Sequence, residues 1–111
     1  MKIDVEDQDK LTIISVEGDL MAEQVDRFRR LSLERLDGPT RDFVLDLEEA
    51  DFIDSNGLEA IVWLQDSCAE RLGQVRLSGC SEQVRQILHV TRLDLRLDQH
   101  DTVDAAVHSL R

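Results

Sequence analysis

The pattern of apolar and polar positions divides this chain into alternating strands and helices. Residues 2–5 and 11–16 read as two strands. Ile3 and Val5 alternate with charged residues, and Leu11-Thr12-Ile13-Ile14-Ser15-Val16 is rich in β-branched side chains. The polar link 6–10 is short enough to close them as a hairpin, and Gly18 ends the second strand. Met21, Val25, Phe28 and Leu36 then fall at helical spacing, which predicts a helix over 21–36 with Leu31 and Leu33 widening its apolar face. Asp37-Gly38-Pro39 stops it, with Gly38 as C-terminal cap. Three consecutive apolar residues, Phe43-Val44-Leu45, mark 42–47 as a strand buried on both faces. The clearest helix follows, beginning at Ser55 or just after and ending at Gly73. Leu58, Ile61, Val62, Cys68, Ala69 and Leu72 trace its inner face. Residues 74–78 form the next strand. Ser81 caps a helix carrying Val84, Ile87 and Leu88, and residues 95–98 form a short fifth strand. Asp101 or Thr102 caps a last helix with Val103, Ala106, Val107 and Leu110.

This order predicts an α/β fold over a single domain, residues 1–111. Its mixed sheet has about five strands, the first two a hairpin, and about four helices. The loop after the third strand then lies at a carboxyl edge of the sheet, where open α/β folds place ligands or reactive groups. It reads Asp51-Phe52-Ile53-Asp54-Ser55-Asn56-Gly57-Leu58. Ser55 is placed to cap the following helix, a role typically worth ~1 kcal/mol, and Asp54 to hydrogen-bond loop amides. Gly57 lowers helix propensity in the first turn. It is explained either by close approach of a neighbouring backbone or partner, or by loop geometry alone. Trp63, the only tryptophan, follows two turns after Ser55, beside the apolar stripe. With Leu64 it either joins the core or forms a partly exposed patch near Ser55.

Composition narrows the function. Charged residues make up 33% of the chain and hydrophobic residues 41%, a globular balance rather than a disordered one. The net charge is −11 and the basic residues are scattered, which argues against nucleic-acid binding and against adhesion to anionic lipid. A basic protein partner would be attracted. No stretch has the length and apolarity of a membrane span, and the N-terminus lacks the apolar region of a signal peptide. A cytoplasmic protein is expected. Cys68 and Cys80 have no metal-like spacing and read as buried small residues under reducing conditions. His89, His100 and His108 are scattered, so no metal site is expected. No glycine-rich phosphate loop is present, and no cofactor is expected. No acid, base and nucleophile set converges, so the enzyme reading rests only on a pocket forming around Asp54.

The element order, the length and the segment Leu45-Asp46-Leu47 … Phe52-Ile53-Asp54-Ser55-Asn56-Gly57-Leu58 resemble the STAS domain of anti-sigma factor antagonists. The most specific part is Asp54-Ser55-x-Gly57-Leu58, directly after an apolar strand and opening a helix. The resemblance covers nearly the whole chain. It implies a non-enzymatic partner-switching protein that binds an anti-sigma factor which is also a serine kinase. That kinase phosphorylates the serine after the aspartate, here Ser55, and a serine phosphatase restores binding. The implied contact surface is Asp19, Met21, Asp54, Ser55, Asn56, Gly57, Leu58 and Trp63, on a monomer or weak homodimer. Two positions depart from the family pattern. Asn56 stands where a second hydroxyl residue is common, and Met21 where an acidic residue is common. The alternative is the same domain as a constitutive, unphosphorylated subunit of a larger regulatory or lipid-transport complex.

Overall fold

A hairpin begins the sheet. In β1 (Lys2–Gln8), Ile3 and Val5 point inward and register with Val16 and Ile14 of β2 (Leu11–Glu17). After helix α1 (Ala22–Leu36), β3 (Asp42–Asp46) pairs parallel with β2. Helix α2 (Ser55–Ala69) leads to β4 (Val75–Ser78), and α3 (Glu82–Val90) leads to β5 (Asp98–His100). Helix α4 (Val103–Ser109) closes the chain. Spatial order equals chain order, β1-β2-β3-β4-β5, with only the first pair antiparallel. The computed structural model describes residues 2–111.

Strand β3 runs through the centre of the molecule, and Phe43, Val44 and Leu45 are all fully buried, as their apolar run requires. Phe43 and Leu45 join Ile14, Phe28, Ile61 and Leu64 in the larger core, under α1 and α2. Val44 faces the other way, with Ile13 and Ala106 beneath α4. Helices therefore cover both faces of the parallel strands. The mixed sheet, the hairpin and the four α-helices match the expected α/β fold.

Four local expectations need correction. The buried stripe of α2 is Gly57, Ala60, Ile61, Leu64 and Cys68. Leu72, expected on that face, is 89% exposed, and Ala69 is exposed as well. A spacing of 57, 60/61, 64, 68 follows the helical period, whereas the stripe drawn through Leu72 extended past the helix end. There Leu72 takes a left-handed turn, φ 63°. Gly73 packs where an added Cβ would stand 2.0 Å from the Arg41 carbonyl oxygen. In α1, Ser32 rather than Leu33 completes the buried face with Val25, Phe28 and Leu36.

The fifth strand also lies further on than expected. Arg92 adopts φ 63°, and the segment then winds as a 3₁₀ turn over Leu93–Leu95, with Arg96 and Leu97 amides both donating to the Leu93 carbonyl. Leu93, Leu95 and Leu97 alternate like a strand in sequence, but Leu95 is exposed and Leu97 buried. Of the expected caps, Ser81 accepts from the Val84 amide at 3.2 Å, and Thr102, not Asp101, accepts from the Ala105 amide at 3.1 Å. Cys68 and Cys80 are free and buried, and burial pushes their thiols up to about 12 and about 11.

The corrected stripe makes a direct prediction. Leu64→Ala removes a fully buried side chain and should cost about 2–5 kcal/mol in denaturant unfolding. Leu72→Ala should stay within ~0.5 kcal/mol.

Candidate functional site

Parallel pairing of β2 and β3 sends two chain segments out of the same sheet edge, and they remain paired beyond it. The Gly18 amide donates to the Glu49 carbonyl at 2.9 Å, and the Leu20 amide to the Phe52 carbonyl at 2.9 Å. The Asp54 amide donates back to the Leu20 carbonyl at 3.2 Å, and Leu20 and Ile53 form an isolated parallel bridge. Leu20 and Ile53 are buried, so this extension is anchored from below. Each segment then turns into a helix, α1 or α2, and each helix starts with amides that lack intrahelical partners.

One carboxylate serves both starts. Asp54 Oδ1 accepts from the Gly57 amide at 2.9 Å, and Asp54 Oδ2 accepts from the Ala22 amide at 3.1 Å. Asp54 is therefore the N-cap of α2, with extended backbone at φ −85°, ψ −178°. The expected serine cap is corrected accordingly: Ser55 is the first helical residue. Met21 occupies the N-cap position of α1 with no side-chain cap bond, and the Asp54 carboxylate reaches across to supply one. The Gly57 bond holds the Asp54 carboxyl below its ordinary value, against the opposing effect of burial, with the Ala22 bond and nearby Asn56 adding to the lowering.

Gly57 is explained by close approach. A Cβ there would stand 2.5 Å from the Leu20 carbonyl oxygen and 2.8 Å from the Ile53 side chain. The glycine is buried and lets the α2 N-terminus press against the β2 extension.

The other expected site residues divide into two groups. Asp19, Met21, Ser55 and Asn56 are exposed around the joint, with Asp54 half-buried between them. Leu58 and Trp63 are half-buried further along α2 and line an open groove of about 820 Å³ that reaches back to Ser55. Leu64, paired with Trp63 in the sequence reading, is fully buried instead. The Arg29 guanidinium of α1 lies 5.1 Å from the Trp63 ring centroid, a cation–π contact. Sequence reading missed Arg29 and the second bond of Asp54. Both arise between segments more than thirty residues apart, and only the parallel β2–β3 register brings them together.

Chemically, the joint presents an exposed hydroxyl without a poised base. Both Asp54 oxygens are bound by amides, and a carboxyl held below its ordinary value is a poor proton acceptor. Among the described residues, no three His, Cys, Asp or Glu side chains converge as metal ligands.

Two stability measurements check this geometry. Gly57→Ala should destabilise the fold by about 1–3 kcal/mol, because the neighbour it meets is backbone. Asp54→Asn should lower the unfolding midpoint near neutral pH. Because the folded carboxyl titrates below its unfolded value, the charge-dependent part of this contribution is complete above the unfolded value. It is lost as pH falls through the folded value, so the difference between the two proteins should shrink in strong acid.

Known proteins share this arrangement of elements. A STAS-domain-containing protein of Pseudomonas aeruginosa is 32% identical over 65 residues, spanning 59% of this chain and 64% of that protein. The match therefore covers less than two thirds of that relative's length. Among solved structures, a candidate anti-sigma factor antagonist of Thermotoga maritima has a TM-score of 0.91 at 25% identity, covering 98% of this chain and 94% of that one. The phosphorylated form of the Bacillus cell-fate determinant SpoIIAA has a TM-score of 0.80 at 18% identity, covering 99% and 100%, a likeness of fold. The STAS domain family model matches residues 2–106, nearly the whole length over which the hairpin, the parallel strands and the Asp54 joint are laid out, and the chain belongs to that family.

Proposed function

We propose that this chain is a non-enzymatic partner-switching module, an antagonist of an anti-sigma factor that is also a serine kinase. Phosphorylation of Ser55 by that kinase ends the complex, and a serine phosphatase restores it. One observation carries the reading: Ser55 stands exposed at the first position of α2, beside an aspartate whose two oxygens are already bound. A hydroxyl so placed is open to an incoming kinase and has no base of its own, so it suits a phosphate acceptor better than a nucleophile. The Thermotoga and Bacillus neighbours, one described as a candidate anti-sigma factor antagonist and one as phosphorylated, support the same direction.

In this reading the partner rests on Asp19, Met21, Asp54, Ser55, Asn56, Leu58 and Trp63, with Gly57 setting the backbone beneath them. Phosphorylation adds a charge of about −1.5 to −2. Asp54 precedes Ser55 directly, and Glu59 lies one helical turn below it, where like charges repel. The added charge therefore meets carboxylates in the protein as well as the partner's packed surface. The module acts in the cytoplasm, as one domain, alone or as a weak homodimer.

A second reading keeps the fold and drops the switch. A phosphate at Ser55 would seek the amides of the α2 N-terminus, but the Gly57 amide is already held by Asp54. That favours a constitutive interaction subunit of a larger complex. Incubation with the cognate kinase and ATP separates the two. The switch predicts a gain of about 80 Da, one phosphoryl group, that disappears in Ser55→Ala; an unchanged mass supports the second reading. By calorimetry, Ser55→Asp should weaken partner binding by about tenfold or more, and equal affinity contradicts release by charge.

A further inference from the structure

Helix α2 carries a second feature below the joint. Its outward side forms one wall of the open groove, with α1 on one flank and the connection after α3 on the other. The floor is apolar: Leu58, Val62, Trp63 and Leu93 are each half-buried and leave part of their surface to solvent. The rim is acidic. Glu59, Asp66 and Glu70 recur at i, i+7 and i+11 along the same side. Asp66 is engaged by Arg96, but Glu59 and Glu70 are exposed and have no ion-pair partner among the described residues. Over all of Ser55–Ala69 there is no lysine or arginine. Among the described residues, Arg29 is the one cation lining the groove, and it lies over the Trp63 ring and helps hold the indole in place.

We infer that this groove is a docking channel for a basic amphipathic helix of the partner, with an apolar face on Trp63 and lysine or arginine flanks against Glu59 and Glu70. From Ser55 to Glu70 the channel runs about 22 Å at the helical rise, the length of a four-turn helix. Channels between helices with an apolar floor accept helices by their i, i+3, i+4 anchors. Trp63 sits mid-channel, where a large, orientationally fixed aromatic makes an effective anchor. Charge complementarity selects the occupant: a basic segment is drawn to a chain of net charge −11. A second copy of this chain would instead bring two such charges together. The inference deepens the partner-binding reading by giving the partner's chemistry, and it holds whether or not Ser55 is phosphorylated.

The test uses the whole unmodified chain and needs no kinase, so its failure is distinct from failure of the phosphorylation reading. The probe is a synthetic peptide of about 14 residues with leucines at helical spacing and lysines elsewhere. Its control has the same composition in an order that breaks the apolar face. Amide NMR at physiological ionic strength should show saturable shifts confined to residues 55–70, Arg29, Thr91 and Leu93, together with the Trp63 indole. The control should bind about tenfold or more weakly, and Glu59→Lys/Glu70→Lys should weaken the probe similarly without altering the unfolding midpoint. Absence of binding, equal binding of the control, or shifts centred on acidic β1 residues Asp4 and Glu6 would overturn the inference. So would self-association of the free protein that the double variant abolishes, because that would assign the channel to a second copy.

Discussion

A single carboxylate holds together the end of this molecule where its first two helices begin. Asp54 accepts one hydrogen bond from the start of α2 and one from the start of α1. Two parallel strands leaving the same sheet edge create the need for such a group, since each must begin a helix whose first amides are unpaired. The pairing of Leu20 with Ile53 brings the two starts within reach of one side chain. Gly57 permits that closeness, and the buried Leu20 and Ile53 side chains hold it from beneath. Remove the carboxylate and both helices lose a cap at the same point.

The same arrangement decides what Ser55 is available for. A serine that capped the helix would have its oxygen directed at an amide. With Asp54 in that role, the hydroxyl is left one position into the helix and exposed. The cap and the proposed phosphate acceptor are thereby divided between adjacent residues. A phosphate on Ser55 would have to share the α2 N-terminus with a carboxylate already bound to the Gly57 amide. Its charge would be less well satisfied within the free protein than at an uncapped helix start.

Much of the fold was legible because its signals are local. The β-branched alternation of β2, the unbroken Phe43-Val44-Leu45 run and the Ser81 cap each depend on neighbours in sequence. Failures cluster where tertiary geometry overrides a local pattern. The leucines at 93, 95 and 97 alternate like a strand, yet the chain turns left-handed at Arg92 and winds Leu93–Leu95 into a 3₁₀ segment. Leu72 extends the apolar stripe of α2 in sequence, yet it lies beyond the helix end. At the joint, Asp54 and Ser55 are both good capping residues, and nothing local distinguishes them. The choice follows from the Ala22 amide, which rewards the longer acceptor with two oxygens, and Ala22 reaches Asp54 only through the β2–β3 register.

The central claim is that Asp54 is one ionised group bound at once to two helix starts. A pH titration followed by NMR, observing the Asp54 side-chain carboxyl and the amides of Ala22 and Gly57, addresses it directly. The account predicts that all three signals move together, at a midpoint below that of an ordinary aspartate. An Ala22 amide that stays still while Gly57 titrates, or an Asp54 carboxyl with an ordinary midpoint, would contradict it.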